Sequence, residues 1–432
     1  MKGYGLFFNF FVAISLISCK SARFTMTPTE EFKANRPAVP RSDKALYDLV
    51  NHYSPEIIPV LTNPNLQVQV VYTKIDRKKD NRPRFSHFYY GVNPGLYFYP
   101  ASTVKLPVSV LALQKLQELK VDSLDRNITM ITEAAFSGQT PVYNDPTTQD
   151  GRPSIAHYIK KILLASDNDA FNRLYEFLGQ EYINTKLHAM GYDSALILHR
   201  LDVALSEEQN RATNPVSFYD SAARCIYQQP LVVSKMPYPS RNTLLGKGYI
   251  SNGVVVEQPF DFSKKNRLSL VDLHSILMSV LFPESVEKEQ RFHLAADDYS
   301  FLYRYMSMLP RESDFPQYNS TYDDAYVKFL YYGGSGPVED SSLRIFNKVG
   351  DAYGFLTDAA YLVDFKNGIE FLLSATIYCN SDGIFNDDHY DYKTVGLPFL
   401  KSLGRAIYAS ELERKRKRQP NLSAMRFTYS QQ

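Results

Sequence analysis

The sequence predicts an α+β fold: an antiparallel five-stranded sheet drawn from both ends of the chain, flanked by helices, with an all-helical lobe inserted in its middle. Three observations predict it. Strand-like runs occur early, at Val68-Gln69-Val70-Val71-Tyr72 and Phe88-Tyr89-Tyr90-Gly91-Val92, split by a charged turn from Asp76 to Asp80. Further runs occur late, at Leu343 to Lys348, Ala359 to Phe365 and Ile369 to Tyr378, the last two joined by the hairpin signal Asn367-Gly368. Between about Ser154 and Leu281 the spacing of apolar residues is mostly helical.

Taken in order, the chain opens on Lys2 and an apolar run from Leu6 to Leu16, too short to span a bilayer. Leu16-Ile17-Ser18-Cys19 then resembles the lipobox of bacterial lipoproteins. That resemblance implies a signal peptide over 1–18, a lipidated Cys19 and a polar tether over 19–42. The protein is accordingly expected to be exported and held at a membrane of the cell envelope, on a periplasmic or surface face. From Asp43, the residues Ala45, Leu46, Leu49 and Val50 fall on one helical face. Ser154 is placed to cap a helix through Ile155, Ile159, Ile162 and Leu163; Ser269 does the same for Leu270, Leu273, Leu277 and Val280. A last helix from about Leu397 to Glu413 runs into the charges Arg414 to Arg418, read as the start of a solvated basic tail over 414–432. The folded domain is thus expected over 43–413, with the helical lobe at about 106–340.

Composition narrows the function. The 432 residues carry a net charge of +2, which excludes the broad basic field that nucleic-acid binding uses. Three cysteines are too few and too scattered for a disulfide framework, and Cys225 and Cys379, set in apolar stretches, read as buried thiols. Asn386-Asp387-Asp388-His389 contains metal-ligand types without a metal-site spacing and reads as a turn. No cofactor is called for, and the partners expected are a small-molecule or peptide-like substrate and a membrane reached through Cys19.

Three short motifs carry the chemistry. Ser102-Thr103-Val104-Lys105 sets a hydroxyl and an amine one helical turn apart. A serine hydroxyl needs a neighbouring base, and a lysine serves when burial or nearby positive charge lowers its pKa. Pro100 and Pro107 fit a helix N-terminus, whose dipole favours an oxyanion. Ser166-Asp167-Asn168 offers a hydroxyl for proton relay and an amide for a substrate carbonyl or for the lysine. Lys348-Val349-Gly350 offers a cation for a substrate carboxylate, and a glycine that lets a substrate backbone approach a strand edge.

In this order the motifs resemble the three-part signature of class A β-lactamases and penicillin-binding proteins. Arg200-Leu201-Asp202 and Thr213-Asn214-Pro215 are similar to that family's active-site loop and its exit, and Thr357-Asp358-Ala359 to the strand after the third motif. The resemblance implies a β-lactamase- and transpeptidase-like fold and an acyl-enzyme mechanism. In it Ser102 is the nucleophile, Lys105 its activator and Ser166 the proton relay, while Asn168, Lys348 and Gly350 bind substrate. The backbone N–H groups of Ser102 and Asp351 would form the oxyanion hole. Two departures stand out. Leu205 occupies the position of the family's deacylating Glu, leaving Glu207 or Glu208 as substitutes or as plain solvated carboxylates. Val349 replaces a Thr or Ser, removing a hydroxyl expected to bond the substrate carboxylate. Lys348 also follows Ser166 by 182 residues, so an insertion is expected at about 211–267, beside the active-site loop. Three readings follow: a β-lactamase, a peptidase-like enzyme with slow deacylation, or a binding protein that kept the fold and lost the activity.

Overall fold

The computed structural model of the protein describes residues 42–429. Cys19, the signal segment and all but the end of the expected tether lie outside them. In chain order the elements are α1 (Lys44–Tyr53), α2 (Ile58–Leu61), β1 (Gln69–Arg77), β2 (Pro83–Tyr90), α3 (Lys105–Leu119), β3 (Thr129–Thr132), α4 (Ile155–Ala165), α5 (Asn168–Leu178), α6 (Gln180–Ala189) and α7 (Glu207–Arg211). Short strands follow: β4 (Ala212–Thr213), β5 (Val216–Tyr219), β6 (Cys225–Gln229), β7 (Val232–Val233), β8 (Leu244–Leu245), β9 (Gly248–Ser251), β10 (Val254–Val256) and β11 (Phe260–Asp261). The chain then forms α8 (Leu270–Leu281), α9 (Ala296–Ser307), β12 (Leu343–Ala352), β13 (Phe355–Asp364), β14 (Ile369–Tyr378), β15 (Ile384–Phe385) and α10 (Leu397–Glu413).

The expected sheet is present, in the order β12-β13-β14-β1-β2 and antiparallel throughout. Pairing of β1 with β14, Val71 opposite Ser374, joins the two ends of the chain. Side chains alternate between faces along each strand. Val70 and Tyr72 of β1, with Ile345 and Val349 of β12, enter an apolar layer shared with Leu46 of α1 and Leu403 of α10. Val71 and Phe346 enter the other layer, shared with α3 and α8. With both faces covered, β13 is buried along its whole length. Helix α3 is buried almost all round, as its run of Leu106, Val108, Val110 and Leu111 requires. Ser154 and Ser269 cap α4 and α8 as their sequence positions predicted, accepting from the backbone N–H of His157 and Asp272.

Three expectations change. The lobe is not all helical: β3 pairs with β5, and residues 212–261 carry small strands. Its β-branched run Val254-Val255-Val256 returns along β9 through Asn252-Gly253, both at positive φ, the backbone a two-residue hairpin needs. The basic tail is packed rather than solvated. Glu411 of α10 is fully buried; Tyr72, Arg414 and Arg416 all hydrogen-bond its carboxylate, and Arg414 also reaches Asp76 at 2.5 Å. A buried carboxylate requires such partners, and Leu422 and Met425 bury their side chains further on. Of the two thiols expected to be buried, Cys379 is and Cys225, on β6, is exposed. Among the described residues no helix is long and apolar enough to cross a membrane.

Candidate active site

The three motifs come from three separate elements and meet at one edge of the sheet. Ser102 lies in a 3-10 turn, Ala101–Val104, that runs directly into α3. Residues three apart eclipse one another in such a turn, so Ser102 and Lys105 share a face. Ala101, just before the serine, holds a left-handed φ of 45°, a costly conformation of the kind concentrated at functional sites. Gly350 of the edge strand β12 packs against this turn. A Cβ at that position would sit 2.7 Å from the Pro100 carbonyl oxygen and 2.9 Å from the Ser102 nitrogen. The glycine expected to admit a substrate backbone therefore admits the turn that carries the serine.

Ser166 ends α4 in a left-handed conformation, φ 57°, and Asp167 caps α5 by accepting from the Ala170 N–H at 2.7 Å. The loop between the two helices is thereby fixed with Ser166 and Asn168 facing the lysines. Lys105 Nζ donates to the Ser166 carbonyl oxygen, to Asn168 Oδ1 at 2.7 Å and to Ser166 Oγ at 3.4 Å. Lys348 Nζ donates to Ser166 Oγ and to the Val349 carbonyl oxygen, each at 2.8 Å. Burial lowers the Lys105 pKa to about 7 against the opposing pull of Asp167, Asp351 and Asp202. Burial also drives Lys348 well below its ordinary value, and the nearby Lys105 adds to that. The Ser166 hydroxyl thus sits between two buried amines.

The loop at 199–214 is tied at both ends. Arg200 is buried and donates to Glu176 at 2.8 Å, to the carbonyl oxygens of Gln209 and Ala212, and to Asn214 Oδ1. Asn210 accepts from the Arg200 N–H at 3.0 Å and donates to the Leu205 and Ser206 carbonyls. Within this clamp Asp202, at φ 57°, accepts from Asn168 Nδ2 at 3.3 Å. The structure does not bring Glu207 and Glu208 to Ser102. Glu207 pairs with Arg211 at 2.9 Å and Lys264 at 2.7 Å, which holds its carboxyl below the usual range, and Glu208 is exposed. Asp202 is the carboxylate missed as a site residue; its place in the Arg-Leu-Asp tripeptide, beside the loop arginine, was the available signal.

Above Ser102 opens a cavity of about 370 Å³ whose walls include Asn168, Asp202, Asp351, Tyr353, Asn386 and Asp388. A larger cavity, about 650 Å³, lies between Arg344, Lys366, Arg426 and Tyr429 near the end of the chain and contains none of the motif residues. The insertion helps build the smaller cavity's wall. Its β9 pairs in parallel with β15, just before Asn386, and its Phe260 and Phe262 pack on Tyr353. Among the described residues, no group of three or more potential ligands is arranged to hold a metal ion. A half-buried serine one turn from a fully buried lysine, a hydroxyl bridging to a second lysine and an adjoining cavity form an arrangement suited to acyl transfer.

Residues 56–228 match the Beta-lactamase enzyme family, which bears out the recognition made from the motifs. No curated protein matches the sequence. Among solved structures, the chain is similar to a β-lactamase from Burkholderia phymatum, at 11% identity and a TM-score of 0.46 over 83% of this chain and 99% of that one. It is also similar to a β-lactamase from Xanthomonas campestris pv. campestris, at 13% and 0.45 over 84% and 97%. For PBP-A the figures are 16% and 0.44 over 86% and 98%.

Proposed function

We propose that the protein, whose residues 56–228 match the Beta-lactamase enzyme family, is a serine hydrolase forming an acyl-enzyme on Ser102 with a β-lactam or a peptide-like amide or ester. The observation that carries this reading is Lys105: fully buried, held by Asn168 and Ser166, and one 3-10 turn from Ser102. As a neutral amine it takes the Ser102 proton while Oγ bonds to the substrate carbonyl carbon. The N–H groups of Ser102 and Asp351 stabilise the resulting oxyanion. Collapse breaks the bond to the leaving nitrogen or oxygen, which receives its proton through Ser166, poised between the two lysines. Water then attacks the ester, and Asp202 is the carboxylate assigned to accept its proton. The products are a carboxylic acid and free Ser102.

Intact-mass measurement after exposure to a penicillin tests this. The native protein is expected to gain the mass of the penicillin, and Ser102→Ala is not. Asp202→Asn is expected to lengthen the adduct's lifetime by about a hundredfold, the scale of a lost general base. A folded native protein that gains no mass with any β-lactam or activated ester would instead favour a binding protein on the same fold.

Export and lipid anchoring through Cys19 belong to the same reading, supported by the Leu16-Ile17-Ser18-Cys19 pattern. Cys19→Ser is expected to move the protein from the membrane fraction to the soluble fraction of expressing cells. Retention in the membrane would refute the anchor.

A further inference from the structure

The family resemblance implies a substrate carboxylate held by Lys348, yet the charges around Ser102 point the other way. Lys105 and Lys348 lie buried beneath the turn and donate to protein oxygens. The cavity above them is walled by Asp202, Asp351 and Asp388, and among its described lining residues none is basic. Asp351 and Asp388 come from different elements, the end of β12 and the loop after β15, so their convergence is a property of the folded groove and not of one turn. Tyr353 and Tyr390 add aromatic wall to the same cavity. Tyr353 is fixed there, at φ 53°, by Tyr99 packed edge-on at 5.0 Å and by Phe262 of the insertion at 5.3 Å. Lys265, a basic group of the insertion, sits 5.7 Å from the Tyr353 ring centre and is itself shared with Phe260.

Carboxylates beside aromatic faces attract organic cations twice over, through charge and through the ring quadrupole. We infer that this groove selects acyl donors whose acyl side chain ends in an ammonium group, with Asp351 and Asp388 as the specificity-determining residues. The inference rests on the serine-hydrolase reading above and deepens it. An acyl group that itself carries a carboxylate meets the carboxyl groups of Asp202, Asp351 and Asp388 at the mouth of the site, whereas a carboxylate on the leaving-group side need not face them. An ammonium-bearing donor is drawn in, and its charge lies where the walls neutralise it.

The test compares S-benzyl thioesters of Nα-acetyl-lysine, Nα-acetyl-norleucine and Nα-acetyl-glutamate, following thiol release by the native protein less that by Ser102→Ala. The expected order of kcat/KM is lysine, norleucine, glutamate, with at least about a tenfold step between lysine and norleucine at low salt. High salt is expected to compress that step, because the groove is open to screening ions. Asp388→Asn, which keeps a residue type tolerant of the φ of 61° at this turn, is expected to remove most of the lysine advantage. Ser102-dependent release with no lysine preference, or with glutamate preferred, overturns the inference and leaves the hydrolase reading standing. If a folded protein gives no Ser102-dependent release with any thioester and no adduct with a penicillin, the hydrolase reading falls and takes the inference with it.

Discussion

Gly350 and the Ser102 nitrogen lie so close that a Cβ on the glycine would stand 2.9 Å from that nitrogen. Edge strand and the turn carrying Ser102 are therefore in direct backbone contact, at a distance only glycine permits, and in the proposed acyl-enzyme mechanism that contact would set the oxyanion position.

Gly350→Ala should consequently push the turn away from β12. The expected cost is about 1–3 kcal/mol of stability, the range for forced overpacking, together with loss of most Ser102 acylation. Chemical denaturation and adduct formation on the same preparation check both. An alanine variant that acylates at the native rate would show that the contact does not position the serine.

Acylation should rise with pH through a midpoint near 7, where the Lys105 amine becomes neutral. A stopped-flow pH profile with a chromogenic cephalosporin measures it, and Lys105→Arg should abolish the rising limb. Stability carries the same sign. The folded-state pKa of Lys105 lies below its unfolded value, so the unfolded chain binds the extra proton between about pH 7 and pH 10.5, and this residue's contribution to stability grows with pH across that window. Lys348 acts in the same direction.

Val349→Thr distinguishes sequence resemblance from geometry. The family's hydroxyl was expected to be missing from the groove here, but Val349 turns into the apolar layer against α1 and α10 and is 1% exposed. Restoring the hydroxyl should therefore cost about 1–3 kcal/mol for burying a polar group and bring no gain in acylation rate. A faster variant would mean that the side chain reaches substrate.

Ending the chain after Glu413 should cost about 3–5 kcal/mol, the penalty for leaving a buried charge without its partners. Glu411 is fully buried and would lose Arg414 and Arg416. A thermal melt of the truncated protein checks it, and a truncated protein as stable as the full chain would refute the tail's structural role.

The main sheet, the caps at Ser154 and Ser269 and the three motifs could all be read from residues in order. Each depends on local periodicity, on a side chain within three positions of the backbone it serves, or on a spacing within one turn. The small strands at 212–261 escaped because two-to-five-residue runs have no period long enough to register, and their pairing lies partly with the distant β15. Which carboxylate faces Ser102 was beyond reach for the same reason. Asp202 and Glu207 stand five positions apart on one polar loop, and only the clamp of Arg200 on Glu176, Ala212 and Asn214 turns the first toward Asn168 while Arg211 and Lys264 draw the second away. Residue types and short spacings thus determined by themselves that a serine and a lysine would share one turn and that strands from the two chain ends would frame them. The charge of the groove, the direction of Val349 and the anchoring of the tail were decided only by tertiary structure, because each depends on long-range contacts that bring distant segments together.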